Sequence, residues 1–326
     1  MIDKSPQSID EILEYLREQE HISLPLLYQM TDLSPVELDT FCNSWSQFDS
    51  EKRRLIIRHL ADISEENFQV DFTEIFAHCL FDEAAAVRKA SLDGLWDSDK
   101  LSLIDPIIDV MERDEDISVR ALAAATLGHF VLLAEWQQIP LNRSEPIVEA
   151  LVKVLENNDT PIEIRRSALE AISASASQRV PNFIDDAYES DDTELRISAI
   201  FAMGRSADSR WLPEITTEMA SAWFEMRVEA ARAAGGIGHT DSIQDLAQLL
   251  IDDELEVKLA AISSLGKIGG DRAQELLETL ADDPEFGELH EAALEALEEL
   301  TWLGGDIDLS FMDWENSGDA EPFLSA

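Results

Sequence analysis

His290 and Glu291, in "GELHEAALEALEEL", form the one place in the chain where a histidine is followed directly by a glutamate. On a helix that pair can be half of a zinc-hydrolase motif. The motif H-E-x-x-H needs two histidines one turn apart, so that both imidazoles reach one metal while the glutamate acts as general base. Here the run is His290, Glu291, Ala292, Ala293, Leu294, and the second ligand is missing. Other chemical motifs are absent too. "LGKIGG" lacks both the leading glycine and the hydroxyl after Lys267 that a phosphate-binding loop needs, and "MGRSAD" is not the G-x-S-x-G of a nucleophile elbow. "AGGIGHTD" follows a helical pattern instead of a strand, so its glycines close a helix and do not cradle phosphate. Cys42 and Cys79 are far apart, and His21, His59, His78, His129 and His239 show no ligand spacing. The sequence predicts no catalytic residue, no metal site and no cofactor.

The elements that would position any site emerge from a repeat. Six stretches align: "VRKASLDGLW", "VRALAAATLGHF", "IRRSALEAISAS", "LRISAIFAMGRS", "MRVEAARAAGGI" and "VKLAAISSLGKI". Their basic residues, Arg88, Arg120, Arg165, Arg196, Arg227 and Lys258, are spaced by 32, 45, 31, 31 and 31, and a further 32 leads to His290. Only a repeating structural unit produces such spacing. Within each stretch the first, fifth and ninth places are apolar, as in Val257, Ala261 and Leu265, which is one face of a helix. A second amphipathic segment, such as "SIQDLAQLLIDD", precedes it, so each unit is a helical hairpin. Gly128, Gly204, Gly235 and Gly266 share one place near the end of the second helix, where glycine closes a turn or admits a close neighbour. One hairpin cannot bury both of its apolar faces, and stacking supplies the missing core.

Segments such as "DEDISVRALAAATLGHF" and "DDELEVKLAAISSLGKIGG" resemble HEAT repeats of the phycobilin-lyase-like (E/Z type) kind, over about seven units from Phe68 to Leu303. The resemblance implies an all-α fold, a right-handed α-solenoid of HEAT-like hairpins. Residues 1–66 match the repeat poorly and are expected to form a divergent helical N-terminal cap, with residues 67–303 as the array and 304–326 as an acidic-aromatic, disordered tail. The family serves scaffolds, bilin lyases and, in its deoxyhypusine hydroxylase relatives, di-iron enzymes alike. The last carry several His-Glu pairs on related helices. Here only His290-Glu291 matches, and the equivalent places hold cations such as Arg120 and Lys258, which oppose metal binding. In such arrays a turn aspartate and the arginine of the second helix form a charge ladder. Asp82, Asp114, Asp159 and Asp252 lie six residues before Arg88, Arg120, Arg165 and Lys258, while Ser221 breaks the series and would leave Arg227 free. The long unit from Leu127 to Pro146 should extend its helix to about Trp136 and then form a projecting loop through Pro140, either a binding edge or a spacer.

Composition narrows the partners. The chain of 326 residues carries 68 acidic against 24 Lys and Arg residues, a formal net charge of −44. Such a chain repels nucleic acid and anionic membranes, whose affinity for proteins comes largely from Lys and Arg. Basic proteins or peptides fit better, although the charge also serves solubility or a halophilic source. The first twenty residues have no apolar core of a signal peptide, and the apolar run Ala121 to Ala134 is short of the roughly 20 residues that span a bilayer, so a cytoplasmic location is expected. The remaining surface signal is a stripe at the third, seventh and eleventh places of the second helices. Its central members are Arg166, then Ile197, Phe201 and Arg205, then Val228 and Arg232, then Leu259 and Lys267. Apolar residues beside cations on an acidic protein suggest either a peptide groove or burial against neighbouring helices. The expected function is a non-catalytic scaffold or adaptor that holds a partner protein or peptide there. A bilin lyase/isomerase or a metal-dependent hydroxylase is the alternative, and oligomeric state is left open. In the tail, Phe311 and Trp314 either fray or dock in that groove and gate it.

Overall fold

The computed structural model describes residues 8–303, and every described element is helical. Phe311 and Trp314, with the gating role expected of them, lie outside the described residues. The chain first forms α1 (Ile9–Glu18), α2 (Leu24–Leu27), α3 (Pro35–Trp45) and α4 (Ser50–Glu66). Hairpins follow: α5 (Thr73–Cys79) with α6 (Ala85–Asp93), α7 (Ile104–Arg113) with α8 (Ile117–Glu135), α9 (Leu141–Glu156) with α10 (Ile162–Ile172), and α11 (Val180–Tyr188) with α12 (Thr193–Arg205). Three more complete the described chain: α13 (Leu212–Met219) with α14 (Phe224–Ile237), α15 (Ile243–Leu249) with α16 (Leu255–Ile268), and α17 (Asp271–Ala281) with α18 (Glu288–Leu303). Two compact units divide between Asp208 and Ser209.

Capping starts many of these helices where the sequence places a short polar side chain. Ser34 accepts from the Glu37 N–H while Glu37 bonds back to the Ser34 N–H, and Pro35 fills the first helical position. Asp49, Asp116 and Asp192 cap α4, α8 and α12. The first, fifth and ninth places face the core as their spacing requires: Val119, Ala123 and Leu127 are fully buried, as are Val257, Ala261 and Leu265.

In the first unit the second helices stack in order, α4 on α6 on α8 on α10 on α12; in the second, α14 packs on α16 and α16 on α18. Thus α4, whose sequence matches the repeat poorly, packs on α6 as any second helix does. Gly128 lies where a Cβ would approach Ala171 of α10 to 3.0 Å, and Gly235 where it would meet Ser264 of α16 at 2.6 to 2.9 Å. These glycines serve close approach. Closing α14 falls to Gly238, at φ +72°.

The charge ladder exists, but each arginine reaches forward to the next hairpin. Arg88 makes a bidentate pair with Asp114, at 2.6 and 2.7 Å, and donates backward to the backbone carbonyls of Asp82 and Glu83, not to the Asp82 carboxylate. Arg227, expected to be free, pairs in the same way with Asp252 at 2.8 Å through both nitrogens, and takes the carbonyl of Ser221, for which no aspartate is needed. Asp82 belongs to Arg53 of α4, at 3.1 Å. Each of these aspartates also accepts from the N–H two residues on, so one carboxylate closes its own turn and clamps the preceding hairpin. The ladder is incomplete: Arg120 donates to the Met111 carbonyl, Asp159 is exposed, and the Arg165 Nε is buried without a partner among the described residues.

The long unit does not project a loop. Its extra residues lengthen α8 to 19 residues and α9 to 16, joined by a tight turn. Gln137 takes φ +60°, and the Gln138 N–H returns to the Leu133 carbonyl at 2.8 Å, the bond that closes a helix around a left-handed residue. At 19 residues α8 is long and apolar enough by composition to cross a membrane, but more than half of it is buried inside the protein. Its apolar character reflects its neighbours: α6, α7, α9 and α10 all pack on it.

Candidate partner-binding surface

The stripe at the third, seventh and eleventh places can be followed within each unit. In the first, Ile197 and Phe201 of α12 are half-buried and Arg205 is exposed. The Arg205 guanidinium lies over the Phe201 ring, 5.8 Å from its centre, a cation–π geometry that holds both side chains against the helix. Arg166 of α10 is less available than its place suggests. It is hydrogen-bonded to Ser198 Oγ at 3.1 Å and paired with Glu194 at 2.9 Å, which spends its charge joining α10 to α12. Ser198 in turn donates to Glu170 at 2.5 Å.

Two residues missed in the sequence share this surface. Glu170, at the seventh place of α10, attracts Arg205 and works against the desolvation that lowers the arginine pKa. His129, at the eleventh place of α8, is half-buried, and burial lowers its pKa; Asp97 and Asp99 pull the other way, and Arg205 adds to the lowering. The backbone of Asp97, past the end of α6, works on the imidazole in the same sense as its carboxylate, while the His129 Nε2 is buried without a hydrogen-bond partner among the described residues. Glu170 of α10 and the charge of Arg205 on α12 thus act on one another, His129 of α8 feels the same guanidinium, and that guanidinium covers Phe201. The signal was the repeat register itself: counted from Val119 and Ile164, His129 and Glu170 occupy stripe places.

In the second unit the expectation fares unevenly. Val228 is 6% exposed and is withdrawn from the surface, because α14 turns its third place into the core. Arg232 and Lys267 are exposed, Leu259 is half-buried, and Arg232 stands 3.7 Å from Glu229 one turn earlier. On α18, Glu291, Glu295 and Glu299 all face solvent, while His290 is half-buried with its Nδ1 lacking a hydrogen-bond partner among the described residues. Among the described residues no group of three or more His, Cys, Asp or Glu side chains is placed to hold a metal.

A family model for HEAT repeats matches residues 104–204 and 212–298, more than half of the chain. The chain belongs to the HEAT-repeat family. Its fold class is accordingly the all-α solenoid of that family. Among solved structures, the complex of CpcE and CpcF of phycocyanin lyase from Nostoc sp. PCC7120 matches at 16% identity and a TM-score of 0.53, over 87% of this chain and 96% of that one. The Kap95:Nup1 complex matches at 16% identity and a TM-score of 0.51, over 91% of this chain and 46% of the other. Importin beta matches at 14% and 0.50, over 90% and 44%. At such identities the likeness is one of fold. Comparison with curated protein sequences yields no significant match.

Proposed function

We propose that this HEAT-repeat protein is a non-catalytic scaffold that holds a partner protein or peptide on the second-helix face of its first unit. The observation that carries the reading is the Phe201–Arg205 pair, an aromatic ring and a cation presented together at 5.8 Å on a strongly acidic protein. A plain solvent face has no need of such a pair, whereas aromatic and arginine side chains dominate the energetics of protein interfaces. A family fold that suits protein binding adds support. The test is capture from native extract by immobilised wild-type protein and by the Phe201→Ser/Arg205→Glu variant, with thermal melts to verify that the variant folds. The expected outcome is that the partners retained by wild type fall at least tenfold. Undiminished capture by a folded variant sinks the proposal.

The second reading, a bilin lyase or isomerase of the E/Z type, has one observation in its favour: the fold likeness to phycocyanin lyase extends over nearly all of that chain. Its measurement is direct. A tetrapyrrole titrated into the protein should shift its absorbance saturably at a one-to-one ratio, and an unchanged spectrum rejects it.

A further inference from the structure

A cavity of about 440 Å³ opens between the C-terminal half of α4 and the end of α6, with Leu122 of α8 at its back. That volume lies in the range of about 300–1,000 Å³ typical of ligand pockets. Its walls combine two kinds of side chain. Phe68 and Trp96 are large rings left 90% and 57% exposed, and Leu122 and Ala61 extend the apolar surface. Four carboxylates, Asp62, Glu65, Asp93 and Asp97, line the same space against a single cation, Arg58. Arg58 is already committed, its Nε 3.0 Å from Asp62 and its Nη1 3.3 Å from Asp93. Glu65 and Asp97 make no salt bridge among the described residues. Burial raises the Asp93 pKa; Arg58 and Lys89 work against it, and Glu65 and Asp62 add to it.

Gly94 also lines the cleft, and an added Cβ there would come within 2.5 Å of the buried Phe76 ring, so glycine lets the end of α6 pass close over that ring. An apolar group entering the cleft would strip water from carboxylates and give nothing back, and an anion would be repelled. A group that is cationic and flat satisfies both walls: it can stack on an indole face and bond to carboxylates at its edge, which a guanidinium does better than an ammonium.

We propose that this cleft binds one arginine side chain of a protein or peptide partner, stacked on Trp96 and bonded to Glu65 and Asp97. The proposal rests on the scaffold reading only in taking its ligand to be part of a polypeptide. It differs in place from the Phe201–Arg205 surface, which lies on α12.

The probe is the peptide acetyl-Gly-Arg-Gly-amide, with the neutral citrulline peptide as its isostere. Binding is read from the indole N–H resonance of Trp96 in nitrogen-15-labelled protein, assigned by its loss in Trp96→Phe. The arginine peptide should move that resonance saturably, and the citrulline peptide should bind at least tenfold more weakly. Glu65→Gln/Asp97→Asn, two exposed positions whose change does not threaten the fold, should weaken binding tenfold or more. Glu291→Gln/Glu295→Gln/Glu299→Gln removes three exposed carboxylates of α18 and should leave it unchanged. Equal binding of the citrulline peptide overturns the proposal, and so does equal weakening by the α18 variant, which would mean general attraction to an acidic surface. If Phe201→Ser/Arg205→Glu captures as wild type while the titration behaves as described, the scaffold surface is wrong and the arginine cleft stands. The opposite pair of results removes the cleft alone.

Discussion

Asp114 shows how one carboxylate holds two hairpins. One oxygen accepts from the Asp116 N–H and so closes the turn between α7 and α8, while both oxygens receive the Arg88 fork from the hairpin before. The pair is nearly dry, at 7% and 6% side-chain exposure, and the bond to Asp114 raises the Arg88 pKa. Removing one member of a buried pair leaves the other charge uncompensated, at a cost of about 3–5 kcal/mol. Asp114→Ala should therefore destabilise the protein by about 3 kcal/mol in urea denaturation. Asp159→Ala, at an exposed place of the same register, should stay within about 0.5 kcal/mol of wild type. Equal effects would mean that the forward pairing does not hold the stack. The six-residue interval read from the sequence was real, but its physical content is a carbonyl, available from any residue, Ser221 included. The side-chain partner lies 26 residues ahead of Arg88 and 25 ahead of Arg227, an interval as visible in the sequence as the other.

Helices of the array touch at their small residues. Gly235 of α14 faces Ser264 of α16, whose hydroxyl donates to the Ala231 carbonyl of α14 at 2.7 Å. A methyl group there must push Ser264 and its backbone away, since all three nearest atoms would lie under 3.0 Å. Overpacking of this kind costs about 1–3 kcal/mol, against a gain in helix propensity of up to about 1 kcal/mol. Gly235→Ala should lower the melting temperature, while Ser264→Gly in the same chain should recover part of the loss. Absence of any recovery would place the damage elsewhere. The repeated position of this glycine was legible in the sequence. Whether it closed the helix or admitted a neighbour was not, because both uses put glycine near the same end, and only the seat of the left-handed residue, Gly238, separates them.

The whole chain carries −44 charges, and packed carboxylates repel one another whatever they face. Salt at physiological strength shortens the range of that repulsion to about 8 Å. The melting temperature should rise between 0.01 and 0.3 M sodium chloride, and a flat or falling trend would show that the ion pairs of the ladder outweigh the net repulsion. The same surplus of carboxylate frames the two sites proposed above: one presents an exposed cation beside an aromatic ring, and the other sets four carboxylates against one committed cation in a pocket with two rings.

Periodicity alone specified the helical hairpins, their number from Phe68 onward and the buried places of each second helix, because a 3.6-residue period and a 31-residue repeat are properties of the chain that stacking can only obey. It also left α18 with an outer face of glutamates, as observed for Glu291, Glu295 and Glu299. Tertiary structure decided what lies between hairpins. It gave Arg227 a partner in Asp252, drew Val228 into the core, tied Arg166 to Glu194 and Ser198, and half-buried His129 within the fields of Asp97 and Arg205. Each of these depends on which residue of the next hairpin arrives at a given height. A repeat pattern fixes that height only when its units are of equal length and its helices approach equally closely, and here the unit of 45 residues and the glycine and serine contacts vary both.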